Sequence, residues 1–174
     1  MTNSRGLILY LVAFCGMVLH PAAGFAQKAA LEAKLPAAVK KTFAKQFPKG
    51  EIEKVDSEEE NGVMVYDIEF KDGDTSKETD ITADGTMLEF TVVIDAKDVP
   101  SAAMKPIREA AKGATMRRIE RIEISYETKA GKTIKLPRTV THYAAELKKG
   151  DQDAEIVVDT AGKVIEPAKF RGDK

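Results

Sequence analysis

The sequence predicts an α+β fold of two tandem units, each a helix packed on an antiparallel sheet of three to four strands. A helix-like stretch precedes strands with alternating apolar residues, and this order of elements occurs twice. The block Tyr66–Glu89 also aligns without a gap to the block Tyr143–Glu166, with eight identical residues at 24 positions. Repeats that share residues and element order indicate a tandem duplication. We place the units at residues 35–90 and 99–166.

The two helices begin 64 residues apart, whereas the aligned blocks lie 77 residues apart, so the second unit carries about 13 extra residues between them. An apolar residue and a proline open each helix, Leu35-Pro36 and Val99-Pro100. The identical pairs of the blocks are Tyr66/Tyr143, Glu69/Glu146, Lys71/Lys148, Gly73/Gly150, Asp74/Asp151, Glu78/Glu155, Gly85/Gly162 and Glu89/Glu166.

The N-terminal 26 residues are typical of a signal peptide. Arg5 precedes an apolar run over residues 7–19, which is too short for a membrane-spanning helix of about 20 residues. We expect cleavage after Ala26 and a periplasmic or secreted mature protein. Two alternatives stay open, lipidation of Cys15 and retention as an uncleaved membrane anchor. Charged residues recur every few positions after Gln27, so no stable membrane insertion is expected after cleavage.

The first helix is predicted from a stripe of apolar residues. Leu35, Val39, Phe43 and Phe47 recur every four residues, which is the spacing of one helical face. Pro36 suits the first turn of the helix, where its missing N–H costs nothing. The residues over 64–70 then alternate as in a half-buried strand with one wet face.

Turns and a long hairpin complete the two units. Glycine turns are predicted at residues 71–74 and 83–85, before a strand over 86–94. In the second unit the helix over 101–112 has a thin apolar stripe and contains a proline that should kink it. The extra residues lengthen a hairpin from about Glu123 to Thr141, which turns at Ala130-Gly131-Lys132.

These patterns resemble the PepSY domain. Tyr66–Phe70 with Ile81–Glu89, and Tyr143–Leu147 with Val157–Glu166, carry the resemblance, which extends over most of the chain from Leu35. The tandem arrangement is similar to secreted beta-lactamase-inhibitor-like proteins built from PepSY-like repeats. The resemblance implies a helix packed on an antiparallel sheet in each copy.

The family resemblance also implies non-catalytic roles. The resemblance implies a region like those in propeptides of thermolysin-type peptidases, a role in inhibiting peptidases, or the binding of ligands or partners in the cell envelope. The family defines no catalytic residues, so none is transferred to this chain.

The composition excludes several classes of function. Lys and Arg number 27 against 28 Asp and Glu, and this near-neutral balance argues against a nucleic-acid partner. Cys15 and His20 leave with the predicted signal, which removes cysteine nucleophiles, disulfides and thiolate zinc sites. His142 is then the one histidine for acid–base chemistry, and no G-x-S-x-G motif accompanies it. We therefore expect that the protein is not an enzyme and that it has neither catalytic residues nor a cofactor.

Calcium is the metal that the abundant carboxylates could suit. The loop that starts at Asp72 begins like an EF-hand, but Lys77 occupies its sixth position and Ala83 its twelfth. A solvated turn is therefore predicted, with no metal ligand assigned. Residues 58–62 similarly predict a charged hairpin turn that ends in Asn-Gly.

A basic cluster and one tyrosine are the candidate binding residues. Arg117, Arg118 and Arg121 lie where the first unit has Glu53, Lys54 and Ser57, and they suit an acidic partner or an anion. The alternative is a solvated strand face. Tyr126 in the enlarged hairpin is the candidate aromatic contact, since tyrosine and arginine anchor many protein interfaces.

The leading hypothesis is an exported, non-enzymatic PepSY-like protein that binds a protein or peptide. A modulator or inhibitor of a peptidase or another envelope enzyme is the specific form of this hypothesis. The alternative is an envelope protein that binds a metal or a small molecule through carboxylates at the acidic turns.

Overall fold

The computed structural model describes residues 30–170. The predicted signal peptide, with Cys15 and the expected cleavage point after Ala26, lies outside the described residues. No helix among residues 30–170 is long and apolar enough to cross a membrane. The elements, in chain order, are α1 (Ala37–Gln46), β1 (Glu51–Glu60), β2 (Val63–Asp72), β3 (Thr75–Thr82), β4 (Met87–Val93), a 3-10 turn (Ala96–Asp98), α2 (Ser101–Ala110), β5 (Thr115–Lys129), β6 (Lys132–Lys149), β7 (Gln152–Asp159) and β8 (Val164–Glu166).

The strands form one antiparallel sheet of eight strands in sequence order, β1 to β8. The sequence predicts a separate sheet of three to four strands for each unit, and this part of the prediction is wrong. Strand β4 pairs with β5 between Glu89↔Ile124 and Val93↔Glu120, which joins the two halves. The pairing satisfies backbone N–H and C=O groups that two separate sheets would leave on open edges. The coarser prediction, a mixed fold with antiparallel strands, is confirmed.

Helix α1 packs its predicted apolar stripe on the first half of the sheet. Val39 and Phe43 are buried against Ile68 and Phe70 of β2. The rings of Phe43 and Phe70 meet edge to face with centroids 4.9 Å apart, and Phe47 lies 4.5 Å from the same ring. Aromatic pairs at these distances add to the stabilisation by burial. The first core is therefore largely aromatic.

Helix α2 packs on the second half of the sheet with an aliphatic core. Ala103 and Ile107 are fully buried in one cluster with Leu147 of β6 and Val158 of β7. Pro106 lies inside this helix. The helix nevertheless continues to Ala110, and Ile107, directly after the proline, is fully buried in the core.

Two equivalent glycines let the sheet approach the helices. Gly85 and Gly162 both have positive φ, 89° and 85°. A Cβ on Gly85 would lie 3.0 Å from the carbonyl oxygen of Ala38 in α1, and one on Gly162 would overlap the carbonyl oxygen of Ala102 in α2. A side chain is excluded at both positions by the close approach and by the left-handed backbone. This explains why the repeat keeps both glycines.

Both helices lie on the same face of the sheet. The register places Ile68 opposite Thr79 and Thr79 opposite Phe90, and Phe90 lies opposite Glu123, which shares the face of Ile119. Ile68 belongs to the core under α1 and Ile119 to the core under α2. Within residues 30–170 the opposite face carries no helix, and we call it the open face.

Strands β5 and β6 extend beyond their neighbours as a long hairpin. Its turn contains Ala130 and Gly131, both with positive φ, at the predicted place. The tip contacts the β1–β2 turn, where the Gly131 N–H donates to the carbonyl oxygen of Asn61 at 2.6 Å and the Asn61 amide donates to Thr128 Oγ1 at 3.0 Å. The sequence predicts a turn over residues 58–62, but β1 continues to Glu60 and the turn is limited to Asn61-Gly62.

Candidate functional site

Carboxylates are concentrated on the open face. Asp56 of β1 lies opposite Asp67 of β2, which lies opposite Asp80 of β3, and Asp80 lies opposite Glu89 of β4. The alternation of strand residues explains the row, since the next residue on each strand points into the helix-covered core. The pairing of the strands places further carboxylates on this face, namely Glu58, Glu60, Glu69, Glu78, Glu120, Glu146, Glu155 and Glu166.

Three of these carboxylates form a compact group, which we call the acidic cluster: Asp67, Glu78 and Asp80. One oxygen from each lies within 4.8 Å of the others. Asp67 is only 7% exposed, and neither of its carboxylate oxygens has a hydrogen-bond partner. Buried carboxylates normally have such partners. Asp67 thus leaves two buried oxygens unpaired at the centre of this group.

Lys54, the cation whose charge acts on Asp67, is already paired with two other carboxylates. Lys54 Nζ lies 2.7 Å from Asp56 Oδ2 and 2.8 Å from Glu69 Oε1. Among residues 30–170, no lysine, arginine or histidine nitrogen lies within 4 Å of a carboxylate oxygen of the acidic cluster. The carboxylate oxygens of the acidic cluster, within 4.8 Å of one another, repel strongly when they are ionised and shielded from water.

Burial and mutual repulsion raise the pKa values of these groups. Burial, followed by the charge of Glu69, raises the pKa of Asp67 to about 7. Burial and the charge of Asp67 raise the pKa of Glu78 to about 9. The pKa of Asp80 is raised well above its ordinary value by burial and by Glu89, whose own pKa burial raises to about 7. Protons therefore compensate part of the charge near neutral pH.

The second half of the sheet repeats this register with different residues. Ala144 lies opposite Val157 at the positions equivalent to Asp67 and Asp80. Glu146 lies opposite Glu155, as Glu69 lies opposite Glu78. The cluster thus has no counterpart of three carboxylates in the second half.

The ion pairs beside these positions are also repeated. Arg118 lies 3.1 Å from Glu120 and 2.8 Å from Glu146, in the arrangement that Lys54 makes with Asp56 and Glu69 on the first half. Both cations follow a β-bulge in the strand that pairs with β2 or β6. The open face therefore keeps one cation bridging two carboxylates in each half.

Comparison with known proteins identifies the family. The model of the family described as "beta-lactamase-inhibitor-like, PepSY-like" matches residues 26–89 and 64–166. The chain belongs to this family. The resemblance found in the sequence is confirmed, and the family is described by likeness to an inhibitor rather than by a catalytic activity.

Solved structures share the fold of this PepSY-like protein at low sequence identity. A Bacteroides eggerthii protein described as "putative periplasmic" has a TM-score of 0.57 and 12% identity over 78% of this chain and 88% of its own. DUF2874 family proteins of Bacteroides uniformis and Bacteroides ovatus both have TM-scores of 0.55, with 14% and 12% identity over 78% and 80% of this chain and 88% and 89% of theirs. No curated protein matches the chain. These likenesses establish the fold alone.

The predicted binding residues lie on different surfaces of the PepSY-like protein. Arg117 is exposed at the β-bulge, and Arg118 lies on the open face with its two carboxylates. Arg121 lies opposite Tyr143 on the helix side and is 3.2 Å from Glu123. Tyr126 lies opposite Lys135 in the long hairpin. Strand alternation separates residues that are close in sequence, so the four do not form one patch, and their binding role stays a prediction.

Among residues 30–170, neither the turn at Asp72 nor His142 forms a group of carboxylates like the acidic cluster. Asp72 Oδ2 is 2.7 Å from Lys77 Nζ, so the turn that begins like an EF-hand is occupied by an internal ion pair. His142 is half-buried on the open face between Ile122 and Asp159, and burial lowers its pKa.

The sequence contained a signal for the acidic cluster that spacing alone did not reveal. A tight turn at Gly73 fixes the β2–β3 register, and folding the sequence about this turn pairs Asp67 with Asp80 and Glu69 with Glu78. The acidic residues that stand out in the sequence lie within turns, whereas the structure groups carboxylates across neighbouring strands.

Proposed function

We propose that this PepSY-like protein is an exported, non-enzymatic protein that binds a protein or peptide partner on its open face. The specific form that we favour is a modulator or inhibitor of a peptidase or another envelope enzyme. Support for a binding role comes from the family, which is described by likeness to an inhibitor. Support for export comes from the N-terminal sequence, which is typical of a signal peptide.

The observation that carries the proposal is an uncovered apolar strip bordered by carboxylates. Ile122 and Ile124 of β5 and Val140 of β6 lie together on the open face and are only partly buried. Ile124 lies opposite Glu89, at the end of the acidic row. Apolar side chains at the centre of a patch with charged residues around it are typical of protein interfaces.

The charge pattern favours a partner that presents lysine or arginine beside apolar side chains. The carboxylates of β1 to β4 outnumber the cations of this face, and Lys54 and Arg118 already pair with acidic residues. Complementary charge steers association and suppresses binding of acidic proteins. Partner binding is therefore expected to weaken as ionic strength rises.

Affinity capture from the native envelope fraction tests this function. We expect the mature protein to retain a basic partner, and Ile122→Glu/Ile124→Glu to lose it, because two carboxylates would replace the apolar centre. Met64→Glu is the matched control, since Met64 is 41% exposed and lies on the other face of the sheet, opposite Glu59. Circular dichroism checks that both variants fold.

The outcomes separate the open face from the residues predicted by sequence. Loss of the partner in Ile122→Glu/Ile124→Glu and its retention in Met64→Glu would support the open face. Retention in both would contradict it, and loss only in Tyr126→Ala would favour the long hairpin instead. If the mature protein retains no partner, the binding function itself is contradicted.

A further inference from the structure

We propose that Asp67, Glu78 and Asp80 form a binding site for a hard divalent cation, with Ca²⁺ as the preferred ion. The site lies on strands β2 and β3 and is separate from the turns that the sequence singled out. The inference stands apart from the proposed function, because it concerns the protein and the ion alone.

The geometry of the acidic cluster suits one shared ion. The three carboxylate oxygens lie within 4.8 Å of one another. Three oxygens with these separations lie at most about 2.8 Å from a common centre, so a small movement of the side chains brings all three to the distance of about 2.4 Å at which oxygens bind Ca²⁺. Asp67 and Asp80 lie directly opposite each other, and Glu78 is two residues from Asp80 on the same face of β3.

Asp67 supplies an independent observation. It is 7% exposed, and both of its oxygens lack a hydrogen-bond partner while facing Asp80 across the strands. A buried carboxylate without a partner is destabilising. Lys54 does not compensate it, since its ammonium is 2.7 Å from Asp56 and 2.8 Å from Glu69. A bound cation would satisfy the Asp67 oxygens that the protein leaves unpaired.

The second half of the sheet shows that the fold does not require these carboxylates. In the same register, Ala144 lies opposite Val157, and both are buried. Apolar residues therefore fill the equivalent places in an equivalent hairpin. Since Asp67 and Asp80 are dispensable for the hairpin, a role in binding is the better reason for their presence.

The chemistry of the ligands selects the class of ion. Three carboxylates without nitrogen or sulfur ligands suit Ca²⁺, Mg²⁺ or Mn²⁺ rather than softer metals. Ca²⁺ accepts irregular coordination and bidentate carboxylates, whereas Mg²⁺ demands near-octahedral geometry and gives up its water reluctantly. Glu78 and Asp80 are partly exposed, which leaves room for water to complete the coordination.

Titration of the chelator-treated mature protein with CaCl₂, MgCl₂ and MnCl₂ tests the site. Calorimetry should report one Ca²⁺ per chain with higher affinity than Mg²⁺, and Mn²⁺ should lose its free-ion electron paramagnetic resonance signal on binding. Thermal unfolding should shift to higher temperature with Ca²⁺, since an ion that binds only the folded state stabilises it.

Two variants make the test specific. Asp67→Ala/Asp80→Val copies the residues of the second half, so it should fold and lose Ca²⁺ binding. Glu155→Gln, at the position equivalent to Glu78, should bind Ca²⁺ as the unaltered protein does. Absence of Ca²⁺ binding by the unaltered protein at millimolar concentration would overturn the proposal, and it would show that protons alone compensate the cluster. Unchanged Ca²⁺ binding by Asp67→Ala/Asp80→Val would also overturn it.

Discussion

The β2–β3 hairpin and the β6–β7 hairpin share one register but differ on the open face. Asp67 lies opposite Asp80 in the first, and Ala144 lies opposite Val157 in the second. On the helix side both hairpins present buried residues to a helix. The comparison teaches that both halves keep the packing against the helices, whereas the residues of the open face differ between them.

The largest losses of stability that we expect come from truncating side chains in the two cores. Phe70 is 1% exposed and contacts two phenylalanine rings, whereas Leu147 is equally buried among aliphatic side chains. Phe70→Ala should lower the free energy of unfolding by about 4 kcal/mol, and Leu147→Ala by about 3 kcal/mol, because the larger ring leaves the larger cavity. Urea denaturation measures both. A larger loss for Leu147→Ala would show that the aliphatic core is the less adaptable one.

Substitution of the two glycines that approach the helices, Gly85 and Gly162, should lower the free energy of unfolding by different amounts. Gly162→Ala should lower the free energy of unfolding by about 3 kcal/mol and Gly85→Ala by about 2 kcal/mol, since both force a side chain into a left-handed backbone. Gly162 is the tighter position because its Cβ would overlap the carbonyl oxygen of Ala102. Gly73→Ala is the control, with positive φ but open space around it, and should cost about 1 kcal/mol. Equal losses at all three would mean that backbone strain alone matters.

The acidic cluster provides the third contrast. In a chelator, Asp67→Ala/Asp80→Val should raise the free energy of unfolding by about 2 kcal/mol, because it replaces crowded carboxylates with residues that pack without charge. Saturating Ca²⁺ should remove this advantage by stabilising only the unaltered protein. Thermal unfolding with and without Ca²⁺ measures both effects. A destabilised double variant in the chelator would mean that the carboxylates support the first hairpin in a way that the second hairpin does not reproduce.

These contrasts indicate what the sequence could predict. The repeat, the prolines before Ala37 and Ser101, and the turn at Ala130-Gly131 follow from local rules of capping and φ, and the structure agrees with them. The joining of β4 to β5 and the contact of Asn61 with the hairpin tip are long-range, so no local pattern encodes them.

The candidate site also depends on strand pairing that local sequence patterns do not predict. Sequence spacing placed the arginines together, but strand alternation puts Arg118 on the open face and Arg121 on the helix side. The acidic cluster depends on cross-strand register, which becomes predictable only once the turn at Gly73 is taken as the axis of the hairpin. Burial of Asp67 depends on the whole sheet and is not encoded in its neighbours in the sequence.

Glu155, a carboxylate of the second half, should make the stability of the protein depend on pH. Burial and the charge of Glu120 raise the pKa of Glu155 to about 7 from an ordinary value of 4.5. Because the folded-state pKa is the higher one, its stabilising contribution is complete below pH 4.5 and is lost as the pH rises through 7. Glu155→Gln should therefore stabilise the protein by about 1 to 2 kcal/mol at pH 8 and by little at pH 4.

Urea denaturation at pH 4, 6 and 8 measures this dependence. Glu123→Gln is the control, because Glu123 is a more exposed glutamate of the same sheet, 41% exposed at its side chain. An equal gain for Glu155→Gln at every pH would contradict the raised pKa and would point to packing instead.

The smallest contrast concerns the two bridging cations. Arg118 is 24% exposed, and the side chain of its partner Glu120 is 11% exposed. Lys54 is 45% exposed, and its partners Asp56 and Glu69 are 50% and 15% exposed. Arg118→Met should lower the free energy of unfolding by about 1 kcal/mol, because it leaves a buried carboxylate without its cation. Lys54→Met should cost less, about 0.5 kcal/mol, since the lysine is more exposed to water than the arginine and its pairs are therefore weaker. Denaturation in low and high salt measures both, and the loss at Lys54 should shrink further in high salt because that pair is the more accessible to ions. If salt reduced the Arg118 effect as strongly, the open face of the second half would be as hydrated as that of the first, and the halves would differ in residue identity but not in burial.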